Sequence, residues 1–315
     1  MEYNVYIADL VVGTDIEGFY ILKSASAKST AAGKPFLAAV LSDVSGSVDA
    51  KLWDFTGGFG AEEEGKVVKI RGSVSEYRGL PQITIDRIRL AEPNDQYDMS
   101  ALVPVAPIDV DAEMAEMEAI IASIEDADYR TLTQTMLQRH YEVVKSIPAA
   151  KSVHHGFISG LLMHTVSMLR LADFLSDLYF DVVDRSLLLA GTALHDFAKE
   201  KEFTFSELGL VTDYTAKGHL LGHLVMGAQE VAQVAIELGI PEEKSVLLQH
   251  MILSHHGEPE LGAAVKPICA ESELLSKIDW IDSRMEIYRE TFDEMNVGEM
   301  SNRIFALDKR IYRHF

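Results

Sequence analysis

The feature that most constrains this chain is the run Leu189–Lys199, L-A-G-T-A-L-H-D-F-A-K, in which apolar and small residues lead into the adjacent pair His195-Asp196. Such a run predicts a buried helix that carries an imidazole and a carboxylate into a dry interior. An unpaired carboxylate there costs several kcal/mol, so Asp196 needs a cation or strong donors. Further stations stand on other predicted helices: Met163-His164-Thr165, Gly222-His223-Leu224, Ser254-His255-His256-Gly257, and the segment Lys277-Ile278-Asp279-Trp280-Ile281-Asp282. Imidazole and carboxylate converging from several helices suit a hard-to-borderline divalent ion such as manganese, iron, cobalt or magnesium.

The 315 residues suffice for two domains. The single cysteine, Cys269, excludes an internal disulfide and a thiolate metal cage. The start, M-E-Y-N-V-Y-I-A-D, lacks a basic segment followed by a long apolar one, and no run approaches membrane-spanning length, so a cytoplasmic protein is expected. A net charge of −21 argues against a nucleic-acid partner, because phosphate binding recruits Lys and Arg. Its distribution softens that objection: residues 1–100 hold 15 acids and 10 bases, a net of −5, which leaves 34 acids and 18 bases, a net of −16, for the remainder. Most of the acid is thus in the helical part, as solvated helix face.

Residues 5–90 read as β structure. Strands are predicted from Phe19, over Lys34–Leu41, around Val48–Trp53, over Lys66–Val74 and over Leu80–Leu90, with Ser42–Gly46 as a turn. Five strands in under a hundred residues suit a small closed barrel of the OB type. On it, Phe36, Trp53, Tyr77 and Arg78 are candidates to stack bases, and Lys51, Lys69 and Arg71 to meet phosphates, while barrel packing is the competing role for each aromatic. Trp53 is the best candidate for an exposed platform.

Residues 93–110, with three prolines and no sustained period, read as a linker between a barrel at 1–92 and an all-helical domain at 111–315, an α+β multidomain chain. The first helix is capped by Asp109 or Asp111 and carries Met114, Met117, Ile120, Ile121 and Ile124 on one stripe, which serves core packing or, if exposed, a homo-oligomer contact. A second helix spans about Asp128–Ser146. Glu200–Lys217 reads as a polar loop over the site. In the helix Gly218–Leu238, His219 and His223 are four apart and share a face. His255 and His256, adjacent on a helix, should point about a hundred degrees apart, serving different ions or one a metal and the other the substrate. His250 packs or hydrogen-bonds.

The order H…HD…H…HH…D resembles the HD-domain metal-dependent phosphohydrolases. Gly33–Asp54 and Val68–Ile85 resemble the OB module that precedes the HD domain in YhaM-type 3′-5′ exoribonucleases, and the tail Gly298–Tyr312 resembles the carboxyl terminus of that family, so the likeness spans nearly the whole chain. His154-His155-Gly156 through Thr165 is similar to the family's entry motif H-H-x-x-x-G-G-L-L-x-H-T, with Ser159 in place of the first glycine and Met163 where an acidic residue is common. The resemblance implies a divalent ion, Mn²⁺ before Mg²⁺, Co²⁺ or Fe²⁺, held by His164, His195, Asp196 and Asp279. A second ion on His223, His255 and His256 would be bridged through Asp196. It also gives His154 and His155 to substrate phosphate, the former with a helix-capping or surface role as the alternative.

In this reading Asp196 is central to catalysis. Lys199, four residues after His195 and hence on nearly the same face, binds substrate and neutralises charge growing on the phosphoryl group, its alternative being a surface lysine at a helix end. Asp282, if not a ligand, holds a neighbouring histidine in its working tautomer. The expected reaction is metal-dependent hydrolysis of single-stranded RNA, or single-stranded DNA, from the 3′ end. Two alternatives stand: a phosphohydrolase of small nucleotides or cyclic dinucleotides with a regulatory barrel, and a non-catalytic nucleic-acid-binding adaptor.

Overall fold

The structure, a computed structural model, describes residues 2–30, 32–150, 156–206 and 208–315. Two compact units are present: Met1–Val105 with Ser206–Leu208, and Ala106–Phe205 with Gly209–Phe315. No helix among the described residues is long and apolar enough to cross a membrane.

In the first unit, β2 (Asp15–Ser29), β3 (Pro35–Asp43), β4 (Gly46–Trp53), β6 (Leu80–Leu90) and β5 (Val67–Tyr77) follow one another around a sheet, and β5 pairs back onto β2. The result is a closed five-stranded barrel of the OB type, to which β1 (Glu2–Tyr3) adds in parallel beside β2. Closure is possible because β2 is long enough to serve two partners: Asp15–Ile21 pairs with β5, and Ile21–Ser29 with β3, across an irregularity at Leu22/Ser24. Alternation supplies the core, as in Leu37, Ala39 and Leu41 of β3, which pack with Ile16, Tyr20, Val68, Ile70 and Ile83. Gly72 has a packing reason, since a Cβ there would lie 2.3 Å from the Thr84 carbonyl oxygen.

The proline-bearing stretch after β6, read from sequence as linker, is fastened to the barrel as far as residue 103. Tyr97 stacks on Phe19 with ring centroids 4.8 Å apart, Leu102 packs with Phe19 and Val67, and the Val44 N–H donates to the Ala101 carbonyl. Periodicity could not show this, because single apolar residues in an irregular segment carry no repeat.

The second unit comprises α1 (Val110–Ala122), α2 (Ala127–Ser146), α3 (Gly160–Leu178), α4 (Arg185–Leu194), α5 (Lys199–Glu202), a hairpin of β7 (Phe203–Phe205) and β8 (Val211–Tyr214), α6 (Ala216–Leu238), α7 (Glu242–Ser254) and α8 (Ala270–Asp293). Asp109, Asp126 and Asp184 cap α1, α2 and α4, each accepting backbone N–H bonds of the first turn. Met114, Met117, Ile121 and Ile124 lie in the helical core with Leu161, Leu188, Leu189, Val231 and Leu275, so the methionine stripe is packing and not an exposed face. The segment 200–217, expected as a loop, is the end of α5, the β7–β8 hairpin and the start of α6.

Two helices end before the histidines that the sequence places on them. Helix α4 stops at Leu194 and α7 at Ser254, so His195-Asp196 and His255-His256 sit in turns just past helix C-termini. Helix α6 is broken at Gly222, whose φ of 70° and ψ of 163° suit glycine alone. His219 and His223 therefore do not share a face: His219 is exposed beside Tyr214, with ring centroids 5.2 Å apart, whereas His223 is buried.

Candidate metal centre and strand-binding surface

The centre is assembled from α3, the turn after α4, α6 beyond its break, the turn after α7, and α8. His195 and His255 share one local device. Each terminates its helix, and its Nδ1–H donates to the carbonyl three residues back, Thr192 O and Ile252 O, both at 2.8 Å. The ring thereby satisfies one of the helix's spare terminal carbonyls, and the same bond fixes the tautomer so that Nε2 keeps its lone pair. Carboxylates do this for two other rings: Asp282 Oδ2 accepts from His164 Nδ1 at 2.7 Å, and Glu202 Oε2 from His223 Nδ1 at 3.0 Å. Ser167 donates to Asp282 Oδ1, and the His223 backbone N–H to Glu202 Oε1, so neither carboxylate is free to turn.

Four Nε2 atoms thus face inward around Asp196. Its Oδ2 lies 3.2 Å from His195 Nε2 and 3.8 Å from His164 Nε2, and its Oδ1 lies 3.3 Å from His223 Nε2 and 3.7 Å from His255 Nε2. Asp279 Oδ1 is 3.4 Å from His164 Nε2. Two groups of donors result, His164-His195-Asp196 and His223-His255-His256, each offering ligand atoms within 4.8 Å of one another. His255 keeps helical backbone angles (φ −62°, ψ −24°), yet both rings turn toward His223, with ring centroids at 5.6 Å and 5.3 Å.

Three buried atoms at this point have no hydrogen-bond partner among the described residues: Asp196 Oδ1, His223 Nε2 and His256 Nδ1. The Nε2 atoms of His164 and His195 approach to 3.3 Å although each ring's Nδ1 is already turned to an acceptor. Lone pairs so placed repel unless a proton or a cation lies between them, and buried polar atoms without partners cost free energy. Nitrogen and carboxylate donors around such a point fit a divalent cation.

Protons compete for the same place. Burial pulls the His164 imidazole down, but the hydrogen bonds of Asp279 and Asp282 prevail and push it up to about 10. Burial alone would raise Asp196, yet His195 and Lys199 hold it well below the ordinary carboxylate range. Burial and the neighbouring His256 and His195 keep His255 neutral, the form a ligand requires.

Lys199 is half-buried and its Nζ sits 2.6 Å from Asp196 Oδ2. Its nearness to the centre does not come from a shared helical face with His195, since the chain turns between α4 and α5. Glu202 had no sequence signal: it lies in the polar segment Glu200–Lys217, which reads as a loop over the site. Another residue without signal is His140 of α2, buried beside Phe197 and hydrogen-bonded through Nδ1 to Glu200 at 2.7 Å and through Nε2 to Glu230 at 2.8 Å. With methionine at 163, the carboxylate at His164 Nδ1 is that of Asp282 on α8. Ser159 adopts φ 62°, a left-handed conformation suited to the glycine of the resembling motif, and its hydroxyl donates to the Lys145 carbonyl at 2.6 Å. His154 and His155 lie outside the described residues. His250 Nε2 accepts from the Ile268 N–H at 3.2 Å.

On the barrel, strand register brings the aromatic candidates together. Phe36 of β3 pairs with Trp53 of β4, their ring centroids 5.1 Å apart. Lys51 Nζ stands 5.5 Å from the Trp53 ring and 4.7 Å from that of Tyr77, and the Arg78 guanidinium is 5.3 Å from the Tyr77 ring. Trp53 is 45% and Tyr77 50% exposed. A shallow groove beside them is lined by Ser24, Lys28, Phe36, Lys51, Tyr77 and Gln82. Lys69 and Arg71 are elsewhere on the barrel, in a concave patch with Arg87 and Arg89, where Lys69 pairs with Glu17 at 3.0 Å.

The family model of the HD domain matches residues 161–284, the stretch that carries every donor described above. A 3′-5′ exoribonuclease YhaM of Listeria innocua is 38% identical over 311 residues, 97% of this chain and 97% of that protein. The protein of the same name from Listeria welshimeri is 37% identical over 310 residues, again 97% of both chains, and that from Oceanobacillus iheyensis is 35% identical over 311 residues, 97% of this chain and 96% of its own. Among solved structures, a domain of replication protein A from Methanococcus maripaludis aligns with 29% of this chain and 97% of its own, at 19% identity and a TM-score of 0.24. With identity of this order running from end to end through barrel and helical unit alike, the chain belongs to the family of YhaM 3′-5′ exoribonucleases.

Proposed function

We propose that this chain is a metal-dependent 3′-5′ exoribonuclease that hydrolyses the phosphodiester bonds of single-stranded RNA, and of single-stranded DNA more slowly, with Mn²⁺ as the working ion. The observation that carries the reading is Asp196, whose two carboxylate oxygens face two separate groups of histidines. Nitrogen and carboxylate donors so divided would hold a divalent cation on either side of Asp196. A divalent ion, when bound, supplies the Lewis acidity that activates water and polarises the phosphoryl oxygen.

The chain's own residues supply the rest. His164, His195, Asp196 and Asp279 form one half of the donor set, and His223, His255 and His256 the other. Asp282 and Glu202 keep His164 and His223 presenting Nε2. Lys199, once drawn from Asp196 by a phosphate oxygen, places its ammonium against charge that grows on the phosphoryl group. His154 and His155 are assigned to substrate phosphate on the resemblance of the entry motif. Phe36, Trp53, Tyr77 and Arg78 hold the strand by stacking, with Lys51 on its backbone, a mode that tolerates any sequence.

The test uses 5′-labelled single-stranded RNA with Mn²⁺. A ladder shortening by single nucleotides from the 3′ end is expected, and Asp196→Ala should abolish it while leaving RNA binding by the barrel intact. Turnover of mononucleotides or cyclic dinucleotides alone would point to a small-nucleotide phosphohydrolase, and binding without any turnover to an adaptor.

A further inference from the structure

Beside the donors of the helical unit lies a cavity of about 630 Å³ lined by His255, His256, Asp279, Ser276, Lys277 and Trp280. Trp280 follows Asp279 directly, yet it is 54% exposed. Helix α8 anchors itself through Leu275, Ile278 and Ile287, all buried, so its packing does not call for an indole at 280. The guanidinium of Arg284 lies 4.6 Å from the indole centroid. Lys277, Trp280 and Arg284 recur at i, i+3 and i+7 and so share one face of α8. Lys277 also pairs with Glu273 one turn back, at 3.3 Å, both side chains being exposed. Lys277 and Trp280 border the cavity that also exposes His255, His256 and Asp279 of the donor set. Positive charge interleaved with an exposed aromatic ring is how single-stranded nucleic acid is gripped without regard to sequence.

We propose that Trp280, backed by Arg284, is a base-stacking subsite for the 3′-terminal nucleotide of the strand, with Lys277 beside its phosphate. The ligand class is an unpaired nucleobase carrying a phosphate, in a polynucleotide or as a free nucleoside monophosphate. The inference rests on the exonuclease reading above and deepens it. A terminal base held in a pair cannot be splayed out onto the indole without breaking that pair, so the subsite also favours single strands over blunt duplex ends. Stacking present equally in ground and transition states lowers KM and leaves kcat nearly untouched.

The chain has two tryptophans, Trp53 and Trp280, so Trp53→Phe leaves Trp280 as the sole indole fluorophore. Titrating that variant with adenosine 5′-monophosphate, in EDTA and again with Mg²⁺, should quench its emission saturably; emission that does not respond in either condition overturns the subsite. In the exonuclease assay, Trp280→Ala should raise KM for single-stranded RNA by roughly ten-fold or more with kcat little changed, and Trp280→Phe should restore most of the loss. On RNA whose 3′-terminal residue lacks its base, the native protein should already show the raised KM, and Trp280→Ala should add nothing. An unchanged KM for Trp280→Ala, or the same loss on the baseless strand, overturns the proposal in favour of a merely structural indole. Should the native protein degrade no RNA at all, the exonuclease reading fails, while the fluorescence titration still decides whether a base stacks on Trp280.

Discussion

Single side chains in the helical unit are set by what lies behind them. His164, His195, His223 and His255 all give Nδ1 to an oxygen and Nε2 to the interior, but the oxygen is a helix carbonyl in two cases and a carboxylate in the other two. A carbonyl fixes the ring and adds no charge, whereas a carboxylate also makes the imidazole more basic. Asp282→Asn preserves shape and removes that charge. It should weaken divalent-ion binding by about 10- to 100-fold with little change in fold, which a calorimetric Mn²⁺ titration beside a circular dichroism spectrum measures. An affinity equal to that of the native protein would leave Asp282 as simple packing. Of this arrangement, Asp282 was legible in sequence because it lies three residues after Asp279, while Glu202 was not, because 21 residues and the β7–β8 hairpin separate it from His223.

At the scale of elements, α2, α5 and α6 are clamped through His140, which stands between Glu200 and Glu230, the latter also paired with Lys201 at 2.6 Å. Burial lowers the imidazole, but the two carboxylates outweigh it and hold His140 at about 9, above its ordinary 6.5. For Glu230, burial works upward and the His140 and Lys201 bonds bring it down to about 2 from 4.5. A raised histidine stabilises fully below its unfolded value and loses that contribution as pH climbs through the folded one; a lowered carboxylate stabilises above its unfolded value and loses it as pH falls. The clamp is therefore fully formed between about pH 4.5 and 6.5 and fades toward pH 9. Allowing for solvent screening, its fading should remove on the order of 1–2 kcal/mol from the helical unit. Thermal melts between pH 6.5 and 9.5 should show the decline in the native protein and a flatter profile in His140→Gln. Parallel profiles would mean that other groups govern the alkaline limit. The ends of α4 and α7 and the break at Gly222 belong to this scale too. The apolar run through Leu194 is followed by Phe197 and Ala198, and the one ending at Leu253 leads through Ser254 into the histidine pair before Gly257, so periodicity does not mark where either helix stops, and only packing shows where the backbone turns.

Across the molecule, the two units differ in chemistry: the metal-ligand groups found among the described residues are all in the helical unit. A ligand that binds only the native state stabilises the unit that holds it, by about 2.7 kcal/mol at a hundred-fold excess over its Kd. For a unit of roughly two hundred residues this corresponds to a shift of about 5–10 °C. Scanning calorimetry with Mn²⁺ and then with EDTA should thus move one transition and leave that of the barrel in place; two transitions shifting together would refute separate stabilities. The uneven charge also bears on binding. With a net of −5 over residues 1–100 against −16 over the rest, the barrel is the less repulsive surface for a polyanion, and its aromatic rings contribute attraction that salt does not screen.

The sequence by itself determined the classes of structure and the inventory of donors. Alternation with turn residues dictates a small β-barrel, long apolar periods dictate helices, and histidine or aspartate set into such runs must find a cation or a hydrogen bond. Only tertiary structure decided which atoms meet. Phe36, Trp53, Tyr77 and Lys51 join through strand register, and His256 meets His223 where the turn after α7 packs beside α6. Asp282 reaches His164 across 118 residues of chain. The physical reason is that composition and period act along the backbone, whereas a tautomer, a buried ion pair or a bridging carboxylate is fixed by neighbours that arrive from elsewhere in the fold.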